Sequence, residues 1–63
     1  MKNDIWLIIA TCEELQLDRN NDADKIAKTV ITMLGKRDLA NYFGIDRNEV
    51  LPRLTQYIFN HEY

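Results

Sequence analysis

The stretch that most constrains the fold is residues 36–54, KRDLANYFGIDRNEVLPRL. Apolar residues recur at helical spacing on both sides of Gly44, which interrupts the pattern. Glycine adopts the left-handed backbone angles that end a helix at little cost. Ile45 is expected to plug the corner that follows. The residues expected to face inward from the two flanking helices are Leu39, Ala40, Val50 and Leu54. The stretch therefore predicts a helix, a glycine corner and a second helix, which is the pattern of a helix-turn-helix.

The remaining sequence also predicts helices, and no strand pattern is present. A first helix is expected from a cap at Asn3 or Asp4 to about Leu17, and a second from about Asp22 to Leu34. Their apolar stripes comprise Ile5, Ile8, Ile9, Cys12 and Leu15 in the first helix and Ala23, Ile26, Ala27, Val30, Ile31 and Leu34 in the second. Residues 18–24 are polar and predict a loop, and Gly35 is expected to end the second helix. We predict an all-α fold in one domain, residues 1–63, a compact bundle of four to five short helices containing the helix-turn-helix at 36–54.

The last helix contains a proline. Asp46 and Glu49 have the spacing of a capping box, which predicts a helix start near Arg47. Pro52 would then lie in the helix interior, where proline costs about 3 kcal/mol. We expect a bend there, or two pieces that meet between Leu51 and Pro52.

Length and composition limit the class of protein. A chain of 63 residues buries only about 60% of its unfolded surface, so a homodimer is expected to supplement the small core. The single cysteine, Cys12, lies in an apolar run and is expected to be a buried hydrophobe. That run, residues 5–10, is too short to span a bilayer, and Asp4 precedes it where a signal peptide requires positive charge. A cytoplasmic protein with no membrane contact is expected.

Catalytic and cofactor chemistry have no basis in the sequence. The chain has one histidine, His61, one cysteine and two glycines, so it lacks a nucleophile–base pattern, a zinc ligand set and a phosphate-binding loop. The acidic loop beginning at Asp18 also lacks the glycine and glutamate that a calcium loop requires. We expect neither an enzyme nor a bound metal or cofactor.

Binding to double-stranded DNA is the function that residues 36–54 predict. In a helix-turn-helix, the start of the second helix contacts base edges and the first helix crosses the phosphate backbone. The expected base-reading residues are Arg47, Asn48 and Leu51. The expected phosphate-binding residues are Lys36, Arg37, Tyr42 and Arg53. The stretch carries four basic and three acidic residues, whereas the whole chain has a net charge of −2.

The same stretch resembles the helix-turn-helix of small bacterial and phage regulators, matched at Leu39, Ala40, Gly44, Ile45, Val50 and Leu54. More loosely, LANYFGIDRNEV is similar to the DNA-binding end of the replication initiator DnaA. The resemblance covers under a third of the chain. It implies a small DNA-binding regulator of transcription.

A helical protein-interaction module, an adaptor or inhibitor that keeps the helix-turn-helix shape without binding DNA, is the alternative. The acidic net charge favours it. Trp6 and Tyr57 are its candidate interface residues, since Trp and Tyr are enriched at binding hot spots. Each also has a core interpretation: Trp6 would close the bundle, and Tyr57 continues an inward-facing helical pattern with Leu54 and Ile58.

Overall fold

Four α-helices and one short 3-10 turn make up the chain in a computed structural model that describes residues 1–63. The α-helices are α1 (Lys2–Glu14), α2 (Ala23–Leu34), α3 (Lys36–Phe43) and α4 (Val50–Phe59), and the 3-10 turn covers Arg47–Glu49. There is no strand, so the all-α prediction is confirmed.

Helix α2 lies at the centre of the bundle. Its backbone approaches α1, α3 and α4, whereas the backbone of α1 approaches no other helix than α2. The core contains 14 buried residues, none of them charged. They are Ile5, Ile8, Ile9, Cys12, Ala23, Ile26, Ala27, Val30, Leu39, Ala40, Val50, Leu54, Tyr57 and Ile58. The helical spacing in the sequence had placed each of them inside, and Cys12 is buried as expected.

The first helix ends earlier than the sequence predicts. It stops at Glu14 instead of about Leu17, and Gln16 turns the chain with a φ of 73°. Leu15 was expected in the core but is 70% exposed, because the helix has already ended there. The start also differs: Met1 is the N-terminal flanking residue, and neither Asn3 nor Asp4 forms a cap.

Three of the four α-helices end in the same way, with a left-handed residue followed by an amide that reaches back to the last turn. Leu17 donates to the Cys12 carbonyl, Ile45 to that of Ala40 and Glu62 to that of Tyr57, each at 3.0 Å. These are the backbone bonds of a Schellman ending. The left-handed residues are Gln16, Gly44 and His61. Only the glycine had been recognisable as a helix end in the sequence.

Gly35 joins two helices by itself. Its amide donates to the Ile31 carbonyl at 2.8 Å, and its own carbonyl accepts from Leu39 at 3.2 Å. Its φ of 90° and ψ of 141° are outside the left-handed helical region and are disfavoured for residues with a side chain. The prediction that Gly35 ends α2 is confirmed, and α3 begins at the next residue.

Pro52 lies in the first turn of α4, and the helix does not break there. Residues Arg47–Glu49 form the 3-10 turn, and α4 starts at Val50, so Pro52 is the third residue of α4. The amide of that position has no partner within a helix, so proline removes no bond there. The predicted division between Leu51 and Pro52 is therefore wrong, because Leu51 is helical. The change of helix type lies instead between Glu49 and Val50, where the 3-10 turn passes into α4.

The C-terminal residues fold back on the bundle. Tyr63 accepts a hydrogen bond from Arg19, whose guanidinium also pairs with Glu13 at 2.8 Å. Hydrogen bonding to Tyr63 raises the pKa of Arg19. These contacts attach the chain end to the connection between α1 and α2. None of the helices combines the length and apolar character that crossing a bilayer requires.

Candidate nucleic-acid interface

The corner between α3 and α4 is built around Gly44. Its φ of 69° and ψ of 41° are left-handed, and a Cβ there would meet no atom within 4 Å, so the requirement for glycine is conformational rather than steric. Ile45 is partly buried against the core, as expected for a residue that plugs the corner. Leu39, Val50 and Leu54 are fully buried and fix the two helices beneath it.

Arg47 and Asn48 follow this corner, in the 3-10 turn. Both residues are exposed, and neither side chain takes part in an intramolecular ion pair or hydrogen bond. The capping box expected at their flanks is absent, because Asp46 precedes the turn without a side-chain cap bond. Instead, the Glu49 amide donates to the Asp46 backbone carbonyl at 3.0 Å. The two predicted base-reading side chains are thus free to contact a ligand.

Leu51 differs from these two residues. It is half-buried and packs against the core, with only part of its side chain at the surface. Its exposed part contributes, with Pro52 and Phe59, to a shallow groove between the start of α2 and α4.

Two of the predicted phosphate ligands are the first residues of α3. Lys36 and Arg37 are exposed and make no ion pair. They lie at a helix N-terminus, where backbone amides and the helix dipole also favour anions. Tyr42, near the other end of α3, is 42% exposed, with its ring 5.1 Å from that of Phe43 in an edge-on arrangement.

Arg53, the remaining predicted phosphate ligand, is engaged within the chain. Its guanidinium donates to both carboxylate oxygens of Glu62, at 3.0 and 3.3 Å. It also lies over the Phe43 ring at 5.2 Å, within the range of a cation–π contact. Hydrogen bonding from Arg53 lowers the pKa of Glu62, and the same bond raises the pKa of Arg53. Glu62 was not predicted as a partner of Arg53, since nothing in the sequence pattern relates the two residues.

This pairing changes the charge balance of residues 36–54. With Arg53 neutralised by Glu62, three unpaired cations remain: Lys36, Arg37 and Arg47. Three acids of the same stretch also make no ion pair: Asp38, Asp46 and Glu49. The stretch as a whole is therefore close to neutral, and any attraction for phosphate comes from the local positions of the cations.

The two aromatic residues predicted for a partner interface have different environments. Trp6 is 52% exposed, so the interpretation that it closes the core is wrong. Tyr57 is only 5% exposed and packs between Phe43 and Tyr63, so its ring belongs to the interior. Burial, with a contribution from neighbouring Tyr42, raises the pKa of Tyr57. Of these two residues, only Trp6 has its ring exposed to solvent.

Comparison of the chain with family models, curated proteins and solved structures finds no match. No group of three or more His, Cys, Asp or Glu side chains is arranged to hold a metal ion.

Proposed function

We propose that the protein is a small DNA-binding regulator that reads duplex DNA through the corner between α3 and α4. The observation that carries the proposal is the state of Arg47 and Asn48. Both side chains follow a left-handed glycine corner, both are exposed, and no other group of the chain engages them. Arg is suited to bidentate bonds with guanine, and Asn to bidentate bonds with adenine.

The first turn of α3 also supports the proposal, because its residues are suited to binding DNA phosphates. Lys36 and Arg37 combine two free cations with the free amides of a helix N-terminus. Contacts of this kind position a protein on the duplex without reading sequence. Base contacts and phosphate contacts are thus assigned to different residues, so mutations separate them.

The experiment selects a preferred duplex from a pool with randomised central positions and then measures binding of variants. Arg47→Ala is expected to lose about 1–3 kcal/mol of discrimination between the selected duplex and a scrambled one. Lys36→Ala is expected to weaken binding to both duplexes alike. Lys2→Ala, which removes an exposed cation of α1, is the matched control and should change neither. Unaltered discrimination by Arg47→Ala would contradict the assignment of base reading.

Binding to a protein partner is the second candidate, and the Arg53–Glu62 pair favours it. By neutralising one cation, the pair leaves residues 36–54 with balanced charge, which is unusual for a surface that binds phosphate. The exposed Trp6 would anchor such a partner. Titration with duplex DNA at low salt separates the two candidates, because phosphate contacts strengthen steeply as salt falls. Absence of binding at low salt would support the protein partner.

A further inference from the structure

A shallow apolar groove runs between α1 and α2, on elements separate from the proposed DNA surface. We refer to it as the α1–α2 groove. Its walls are formed by Leu7, Thr11 and Leu15 on one side and Thr29 and Met33 on the other. The buried Cys12 lies in its floor, where burial raises the pKa of the thiol. The groove encloses about 360 Å³.

The walls of the groove expose large apolar side chains to solvent. Leu7 is 55% exposed, Leu15 70% and Met33 66%. The cause is the position of α1, whose backbone approaches α2 but neither α3 nor α4. No segment of the chain covers the groove, since the C-terminal residues fold back on α4 and the 15–22 connection instead.

Opposite charges flank the groove. On α1, Asp4 precedes Leu7 by three residues and Glu14 follows it by seven, so both lie on the helix side that carries Leu7. On α2, Lys25 lies one turn before Thr29, and Lys28 follows on the outer side of the same helix.

These charges are little used within the chain. Glu14 and Lys28 make no ion pair. Asp4 and Lys25 have only long contacts, at 4.0 Å to the N-terminus and 3.8 Å to Asp22. Glu14 of α1 and Lys25 and Lys28 of α2 are therefore available to a molecule that enters the groove at the end next to the 15–22 connection, whereas Asp4 lies at the opposite end.

We propose that a second copy of this chain occupies the α1–α2 groove, with α1 of each copy against α2 of the other. Charge complementarity selects both the occupant and its orientation. A two-fold axis parallel to the groove places Glu14 of one copy beside Lys25 of its partner copy, because both residues lie at the end of the groove next to the 15–22 connection. An axis across the groove would place Glu14 of one copy on Asp4 of its partner copy, which is repulsive. The arrangement buries Leu7, Leu15 and Met33 of both copies.

The first test measures molecular mass in solution without DNA, so its outcome is independent of the proposed function. At about 100 µM, a concentration suited to a small interface, the wild type is expected at twice its 7.5 kDa chain mass. Leu7→Asp should be monomeric, because it would bury an unpaired charge. Trp6→Ala is the control: Trp6 is equally exposed on α1 but does not line the groove, so this variant should remain dimeric. A monomeric wild type, or a dimeric Leu7→Asp, would overturn the proposal.

The second test separates charge pairing from nonspecific association. An all-acidic variant carries Lys25→Glu and Lys28→Glu, and an all-basic variant carries Asp4→Lys and Glu14→Lys. Glu at 25, near the start of α2, and Lys at 14, at the end of α1, both suit the helix dipoles, and helicity by circular dichroism verifies folding. Each variant alone should be monomeric, and an equimolar mixture should form a heterodimer at low salt. Homodimers of either variant, or a mixture that stays monomeric, would overturn the orientation.

Discussion

The Arg53 guanidinium holds the Glu62 carboxylate through two hydrogen bonds, at 3.0 and 3.3 Å, while lying 5.2 Å from the centre of the Phe43 ring. The left-handed His61, with its φ of 55°, turns the chain after α4 so that Glu62 faces back toward Arg53. The pair thereby connects the chain end to the α3–α4 unit that carries the proposed DNA surface. The pair also determines the number of unpaired cations on that surface.

Stability should depend on pH through this pair. The pKa of Glu62 is lowered in the folded chain from its ordinary value of 4.5. The stabilisation of the fold by the Arg53–Glu62 pair is therefore present above pH 4.5. It is lost as pH falls through the lowered pKa of Glu62 in the folded chain. Urea unfolding should show Glu62→Gln less stable than wild type at pH 7, with a difference that shrinks at acid pH. Glu49→Gln, at a carboxylate without an ion pair, should not show this trend, and a constant deficit of Glu62→Gln at all pH values would contradict the linkage.

Pro52 should cost little stability where it stands. As the third residue of α4, it occupies a position whose amide is free in any helix. Pro52→Ala is expected to change the free energy of unfolding by less than about 1 kcal/mol. Gln56→Pro, at an exposed position four residues later in the same helix, should destabilise by about 3 kcal/mol or more. Stabilisation of several kcal/mol by Pro52→Ala would show that the proline strains α4.

Glycine should be preferred at the two helix ends that lack it. Gln16 and His61 both have positive φ, which costs about 1–2 kcal/mol for a residue with a side chain. Gln16→Gly is expected to raise the free energy of unfolding by up to about 1 kcal/mol, part of the gain being offset by entropy. Ala10→Gly, in the interior of α1, should instead lower it by about 1 kcal/mol. Thermal unfolding measures both, and destabilisation by Gln16→Gly would contradict a strained helix end.

Fluorescence of Trp6 should report on protein partners but not on self-association. It is the only tryptophan, it is half exposed, and it does not line the α1–α2 groove. Its emission maximum should be that of a solvated indole and should stay constant as the protein is concentrated through dimerisation. A blue shift of the emission maximum as the protein is concentrated would instead place Trp6 in the dimer contact.

The sequence predicts the parts of this fold that depend on periodicity. Helical spacing placed Ile26, Val30 and Leu54 in the core because burial of an apolar stripe is a repeating local signal. Helical spacing could not locate the end of α1, since Gln16 adopts a left-handed backbone angle that is not expected of a glutamine. Nor could it place Trp6 outside, because α1 has apolar residues on more than one side and only the packing shows which side α2 covers.

The candidate site likewise has features that the local sequence predicts and one that it does not. The corner at Gly44 and the free side chains of Arg47 and Asn48 follow from local pattern. The engagement of Arg53 does not, because it depends on Glu62, nine residues away beyond the end of α4. A charge count along the sequence therefore overstates the positive charge available to DNA.

The salt dependence of DNA binding shows whether the corner between α3 and α4 recognises phosphates. With Lys36 and Arg37 as the phosphate ligands, the logarithm of the association constant should fall with the logarithm of salt at a slope of about −1.8 per protomer. Lys36→Ala should make the slope shallower by about 0.9, and Glu62→Gln, which frees Arg53, should make it steeper by up to about the same amount. No binding to any duplex at low salt, or a slope unchanged by Lys36→Ala, would contradict DNA recognition by this surface.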